Sequence, residues 1–327
     1  MQSETRADTP TGFKAAKPSR ISRLITFFGI FVSLLAAGFV VRSIMVNWQS
    51  LSDFDYSNIN LWGATGSVVF YALCIGAAAL NWTQILKALA PHTKPLAVFS
   101  VFVVAQLGRY LPGNVGHYFG RVVLGRSIGI PLKATGIGSL IEILSALAAG
   151  ALIFICAYLF VPNIFAQALE FLPPQVTPLR MLLTILVGLT VVGLVVKKIN
   201  ASAQIPSVDL VVWSRAIGFA TTSLMLTGIS FTLFLHSMTP ITGPQWALTL
   251  VVFSMAWLAG FVTPGAPAGL GVREAVILAF LTPVFGPAVA LGVSILHRLL
   301  CTIVDLVTSA LGWLLFVKAK KNHVETS

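Results

Sequence analysis

Four arginines stand inside apolar stretches of this 327-residue chain, where a buried charge is expensive: Arg109, Arg121, Arg273 and Arg298. At the centre of a membrane-spanning helix an arginine costs about 2.5–3.5 kcal/mol on insertion scales, so each position needs a reason. A guanidinium group is a planar fork of donors that matches a phosphate and keeps its charge when partly buried. The pattern predicts either contact with a phosphate-bearing headgroup or internal pairing with carboxylates, and the two can coexist.

The candidate partners are three acids in the same apolar stretches, Glu142, Glu274 and Asp305. Glu142 lies on a helix face of small and polar residues, which predicts close packing against another helix and a side chain that points into the bundle. It is either a structural ion-pair partner or a protonatable coupling group. Asp305 lies two turns after Arg298, so each of these two needs a partner from another segment.

Two Pro-Gly pairs interrupt the apolar runs, and each proline is followed nine residues later by an arginine. The predicted bend residues are Pro112, Gly113 and Gly116 in the first stretch, and Pro264, Gly265, Gly269 and Gly271 in the second. Broken backbone at membrane depth is tolerated only where protein or a water-filled cavity surrounds it. Matched Gly/Pro interruptions in two halves of a chain point to the binding site of a transporter, so we expect Arg121 and Arg273 to face one cavity.

Composition identifies the class of protein. Apolar residues make up 57% of the chain, charged residues 9%, and the mean hydropathy is +0.91. A soluble domain carries about 25% charged residues, and several runs here exceed the ~20 apolar residues that cross a bilayer as helix. We therefore expect an all-α polytopic integral membrane protein. No motif for a metal, nucleotide or other cofactor is visible.

The net charge of +11 is distributed as in a membrane protein. Lysines and arginines cluster before the first span, around Lys87 and Lys94, at Lys197, and after the last span, whereas loops 47–60, 161–178 and 236–245 contain none. This positive-inside pattern places both termini in the cytoplasm and argues against nucleic-acid binding.

The predicted spans are 24–46, 61–82, 132–160, 179–196, 210–235 and 288–316. A full crossing at 96–111 would put the segment around Arg121 outside, the loop 161–178 inside although it has no Lys or Arg, and Lys197 outside. Because this violates the positive-inside rule three times, residues 96–131 are interpreted as a re-entrant hairpin. Residues 246–283 form the second hairpin. An alternative stays open, in which 246–263 and 275–297 both cross and the chain has eight spans.

The two halves then form an inverted repeat, each with three transmembrane helices and one re-entrant hairpin broken at Pro-Gly. The predicted organisation is a disordered basic cytoplasmic tail (1–20), membrane repeat 1 (21–165), membrane repeat 2 (175–320) and a short cytoplasmic tail (321–327).

These motifs resemble the lysylphosphatidylglycerol synthase/flippase transmembrane family over roughly residues 20–320. The resemblance rests on Gly108 to Gly113 with Gly116, Gly120 and Arg121, on Glu142, on Pro264-Gly265 through Gly269, Gly271, Arg273 and Glu274, and on Arg298. The founding members join a lipid-flippase domain to a soluble aminoacyltransferase domain. No such domain follows the last span, so we expect no lysyl transfer.

The resemblance implies a stand-alone flippase-like module and does not fix the lipid. Together with the interior arginines, it leads us to expect a transporter of an anionic, phosphate-bearing lipid in the bacterial cytoplasmic membrane, with the phospholipid or lipid-linked substrate as its partner. One alternative is a non-catalytic accessory factor that works with a lipid-modifying enzyme or a glycosyltransferase. Another is an intramembrane lipid transferase, which needs a clustered nucleophile and base that the sequence does not display. We therefore expect a transporter and not an enzyme; the oligomeric state is open.

Overall fold

The computed structural model describes residues 48–52, 59–110, 115–160, 208–263 and 269–324, together with single positions elsewhere. Apart from such single positions, the predicted spans 24–46 and 179–196 lie outside the described residues, as do tail 1–20, loop 161–178 and residues 325–327. The bend residues Pro112, Gly113, Pro264 and Gly265 also lie outside them.

The described part of the chain is helical and contains no strand. Its helices are α1 (Trp48–Ser52), α2 (Leu61–Leu89), α3 (Pro95–Ala105), a 3₁₀ segment (Gln106–Tyr110), α4 (Gly116–Arg126), α5 (Leu132–Phe160), α6 (Leu210–Met238), α7 (Gly243–Val262) and α8 (Val272–Val324). Five of them, α2, α5, α6, α7 and α8, are long and apolar enough to cross a membrane. The chain is therefore a multi-pass α-helical membrane protein.

Helices α2 and α6 form an antiparallel pair. Both are 29 residues long, and both begin with a side-chain cap: Asn60 Oδ1 accepts from the N–H of Trp62, and Asp209 Oδ1 accepts from the N–H of Val212. Ser67 at one end of the contact meets Ser230, with 3.0 Å between their hydroxyl oxygens. Further along, Cys74 Sγ lies 3.2 Å from Ser223 Oγ, so the residue numbers rise on one helix as they fall on the other.

The segment around the first Pro-Gly pair folds back on itself. Gly108 is so close to the next arm that an added Cβ would lie 2.5 Å from the backbone of Gly116, and Gly120 packs against Ala105. Helices α3 and α4 have 11 residues each, or ~16 Å at 1.5 Å per residue. Each is therefore shorter than the ~30 Å hydrocarbon core.

The stretch around the second Pro-Gly pair begins with a longer helix than the first. Helix α7 has 20 residues, which is ~30 Å of helix. It returns through Gly269 and Gly271, whose φ angles of 69° and 84° lie in the left-handed region that glycine adopts without strain. The predicted span 288–316 is part of the longer helix α8, which is broken at Gly286 (φ 79°) between Pro283 and Pro287.

Two hydrophobic cores flank the centre of the bundle. One joins α2, α3 and α5 to the C-terminal part of α8, around Trp82, Phe102, Ile141 and Val304. The other joins α6, α7 and α8, around Phe231, Phe253 and Leu291. Arg121 contacts Trp82 and Phe102 of the first core, and His297 contacts Phe231 and Phe253 of the second.

Candidate functional site

Two adjoining cavities occupy the centre of the bundle. The first has a volume of about 110 Å³ and the second about 40 Å³. A single water needs only roughly 10–15 Å³, so the first holds several waters or a small polar group. Five residues line both cavities: Tyr71, Arg109, Thr227, Trp257 and Arg273. Arg121 and Glu142 line the first, and Glu274 and Arg298 line the second. All four arginines singled out in the sequence thus line the two adjoining cavities, and Arg121 and Arg273 line the same one.

Arg121 is tightly enclosed by its own neighbours. Its guanidinium group makes a bidentate ion pair with Glu142, in which Nη2 donates to Oε1 over 3.3 Å. The ring centroids of Trp82 and Phe102 lie 4.7 and 4.2 Å from Cζ, and that of Tyr118 lies 5.4 Å away. Only 1% of the Arg121 side chain is exposed. Cation–π contacts of desolvated arginines are worth up to about 2 kcal/mol, so this cation is held in place by the protein.

Arg109 belongs to a hydrogen-bonded cluster around Asp305, which is fully buried. The carboxylate accepts from Tyr110 Oη at 2.6 Å and from Tyr71 Oη at 3.2 Å. Arg109 Nη1 lies 3.6 Å from Asp305 Oδ2 and donates to Tyr71 Oη over 3.3 Å. Because Arg109 and Tyr71 line both cavities, this cluster lies where the two cavities adjoin.

Arg298 forms an ion pair with Glu274, which lies on the other side of the break in α8 at Gly286. The second carboxylate oxygen of Glu274 accepts from the backbone N–H of Gly271 over 2.6 Å, at the start of α8. This N-terminus is therefore capped by the protein's own carboxylate, which interacts favourably with the positive end of the helix dipole. Arg298 and Asp305 do not pair with each other, as their spacing along α8 predicts. Arg298 pairs with Glu274 before the break in α8, and Asp305 pairs with Arg109.

Arg273 differs from the other three arginines. Among the described residues no carboxylate lies within ion-pair distance of it. Its Nε atom, like that of Arg121, is buried without a hydrogen-bond partner. Its one ring contact in that part of the chain is with Trp257, whose centroid is 5.5 Å from Cζ. Its stem packs against Gly260, where an added Cβ would lie 2.7 Å from Arg273 Cγ. A partly buried, uncompensated cation thus lines both cavities.

Of the predicted bend residues, three are described. Gly116 is the first residue of α4, and Gly269 and Gly271 form the turn that leads into α8. Gly269 packs against Gly260 so closely that an added Cβ would lie 2.8 Å from the Cα of Gly260. These glycines allow α7 to approach the turn before α8, and this approach positions Arg273.

A buried serine–histidine contact is not predicted by any sequence motif. Ser230 Oγ lies 3.1 Å from His297 Nε2 and donates to the carbonyl oxygen of Ser67 over 2.8 Å. The three residues come from α2, α6 and α8, so only the packing of these helices brings them together. His297 lines the second cavity, whereas Ser230 lines neither cavity and is fully buried. The contact fits a structural role, since a nucleophile needs access to its substrate. Within the described ranges, no group of three His, Cys, Asp or Glu side chains is arranged to hold a metal ion.

Comparison with known proteins adds no assignment. No protein-family model matches the chain, and a search of curated proteins finds no match.

Proposed function

We propose that this membrane protein is a flippase-like transporter that carries the headgroup of an anionic, phosphate-bearing lipid through its central cavities while the acyl chains remain in the bilayer. The observation that carries the proposal is Arg273, a cation without a carboxylate partner among the described residues that lines both cavities. A buried charge is costly until an opposite charge joins it. A phosphate that binds the guanidinium fork supplies that charge.

The helix arrangement supports alternating access through an inverted repeat. In such a repeat, corresponding helices run in opposite directions across the membrane. Helices α2 and α6 have the same length, similar caps and antiparallel packing, as a corresponding pair requires. The short arms α3 and α4 fit a re-entrant hairpin. The membrane length of α7 is also compatible with the eight-span alternative.

The lining residues of both cavities come from both halves of the chain, so rocking of one half against the other would change which cavity is open. We place the protein in the bacterial cytoplasmic membrane with both termini in the cytoplasm, on the strength of loop charge and of the resemblance described above. We assign no covalent step to the site, because Ser230 is fully buried and lines neither cavity. An accessory role beside a lipid-modifying enzyme is the alternative, and it needs no transport.

A reconstitution assay tests the proposal. Proteoliposomes would contain phosphatidylglycerol labelled on one acyl chain with a fluorophore that dithionite bleaches only in the outer leaflet. Transport lets bleaching proceed beyond the outer-leaflet fraction. Arg273→Gln should slow this phase by about tenfold or more, which corresponds to ~1.4 kcal/mol.

The matched control is Arg215→Gln, because Arg215 is an exposed arginine of α6 that lines neither cavity. This variant should behave as the wild type. If wild-type liposomes bleach no further than protein-free liposomes, the accessory role replaces transport. If Arg273→Gln is as fast as the wild type, Arg273 is not the receptor of the headgroup.

A further inference from the structure

We propose that the central site selects a lipid headgroup with one net negative charge and a neutral, hydroxyl-bearing remainder, and that it rejects aminated headgroups. The inference rests on the proposed function, since it concerns which anionic lipid the same site binds. It follows from the balance of charge around the cavities and from the neutral polar side chains that line the first of them.

The positive and negative charges of the side chains around the cavities cancel except for one positive charge. Four arginines line the two cavities, and the described part of the chain supplies three interior carboxylates. Glu142 pairs with Arg121, and Glu274 pairs with Arg298. Asp305 pairs with Arg109, which leaves Arg273 as the surplus cation. One bound negative charge neutralises the site, whereas a dianion leaves an excess charge in a desolvated space.

An aminated headgroup finds no acceptor for its charge. Glu142 is the carboxylate that lines the first cavity, and both of its oxygens contact the Arg121 guanidinium. An ammonium group placed there meets the like charges of Arg273 and Arg109 and loses its water. Such repulsive elements are how a site discriminates against the wrong ligand.

Neutral hydrogen-bonding side chains line the rest of the first cavity. Gln106, Asn81 and Ser223 are among them, and Gln106 is only 7% exposed. The side-chain amide of Gln106 is not hydrogen-bonded to any described residue, whereas Asn81 Oδ1 accepts from Gln84. A buried amide gains most from a ligand that can both donate and accept, as a hydroxyl does. A phosphodiester that carries a small polyol provides the charge and the hydroxyls together.

Native mass spectrometry of the purified full chain with lipids of identical acyl chains tests the inference. Phosphatidylglycerol should bind at least about tenfold more tightly than lysylphosphatidylglycerol or phosphatidylethanolamine. Phosphatidylethanol, a monoanionic phosphodiester without headgroup hydroxyls, should bind several-fold more weakly than phosphatidylglycerol, and Gln106→Leu should remove this difference. Arg273→Gln should weaken phosphatidylglycerol binding about tenfold, and Arg215→Gln should leave it unchanged.

The outcomes separate the two proposals. If aminated lipids bind as tightly as phosphatidylglycerol and depend on Arg273 equally, the selectivity is wrong and the anionic-lipid function stands. If phosphatidylethanol binds as tightly as phosphatidylglycerol, the polyol part is wrong. If no lipid shows binding that depends on Arg273, both proposals fail. Water-soluble glycerophosphoglycerol should bind at least about tenfold more weakly than the lipid; equal binding would assign the site to a soluble phosphodiester and overturn the lipid function.

Discussion

Arg121 and Arg273 occupy matched positions in the two halves of the chain, nine residues after the proline of a Pro-Gly pair. Arg121 is 1% exposed, surrounded by three aromatic rings and paired with Glu142. Arg273 contacts one ring, and no carboxylate of the described residues pairs with it. The two arginines line the same cavity under different electrostatic conditions.

This difference shows that a matched position does not imply a matched role. In the first half, Glu142 neutralises the charge of the Arg121 guanidinium and three aromatic rings enclose it, so this charge stabilises the bundle. In the second half, the charge of Arg273 has no carboxylate partner among the described residues. Such an unpaired charge is available to a ligand but lowers the stability of the ligand-free protein. Binding and stability should therefore respond oppositely to the same substitution at the two arginines.

The largest effect is expected when each arginine is neutralised in turn. Arg121→Gln leaves Glu142 without its cation and should lower the free energy of unfolding by about 3–5 kcal/mol. Arg273→Gln removes an unpaired charge and should leave that free energy unchanged or raise it. The measurement is unfolding in mixed micelles of dodecyl maltoside and sodium dodecyl sulfate, followed by circular dichroism. In the double variant Arg121→Gln/Glu142→Gln, most of the loss should be recovered, because residues in one ion pair couple. Equal losses at both arginines would contradict the comparison.

A smaller effect is expected from the glycines of the two hairpins. Gly108→Ala places a Cβ 2.5 Å from backbone atoms of Gly116, and overpacking of this kind costs about 1–3 kcal/mol. Gly260→Ala meets the Arg273 stem first, at 2.7 Å. The stem can shift, and the nearest backbone atom, Gly269 Cα, is 3.0 Å from the added Cβ instead of 2.5 Å. This variant should therefore lose less stability but weaken phosphatidylglycerol binding. Gly136→Ala is the matched control, because nothing lies within 4 Å of its added Cβ.

If Gly260→Ala destabilises as much as Gly108→Ala and binds lipid normally, the contact of α7 with the start of α8 is packed as rigidly as that around Gly108, and Gly260 does not position Arg273. The same unfolding assay and the native mass spectrometry described above measure both quantities on one preparation.

The smallest effect is expected at the caps of the antiparallel pair. Asn60→Ala and Asp209→Ala each remove a side-chain acceptor from the first turn of a helix, which costs typically ~1 kcal/mol. If α2 and α6 are corresponding helices of a repeat, the two losses should agree within about 0.5 kcal/mol and add in the double variant. A loss at one cap alone would indicate that only one of the two helix ends depends on its cap.

The sequence alone determined the class of protein and most helix positions. Apolar runs longer than the bilayer core predict membrane helices whatever their partners are, and the predicted spans 132–160 and 210–235 agree with α5 and α6 to within three residues. Span 61–82 was predicted seven residues too short, because Asn81 and Lys87 interrupt the apolar run while α2 continues to Leu89. The sequence also determined which charged side chains lie inside the bundle, since those charges fall within the apolar stretches.

Only the tertiary structure decided which of these charges are satisfied. Arg109 of the 3₁₀ segment meets Asp305 of α8, and Arg121 of α4 meets Glu142 of α5. Such contacts depend on how the helices pack and on which side-chain rotamers face one another. The spacing of residues along one helix determines neither. The aromatic rings around Arg121 and the free hydrogen-bonding capacity of Gln106 arise in the same way. The number of interior charges is a property of the sequence, but their neutralisation depends on distance, because the ion-pair energy falls with separation and rises with burial.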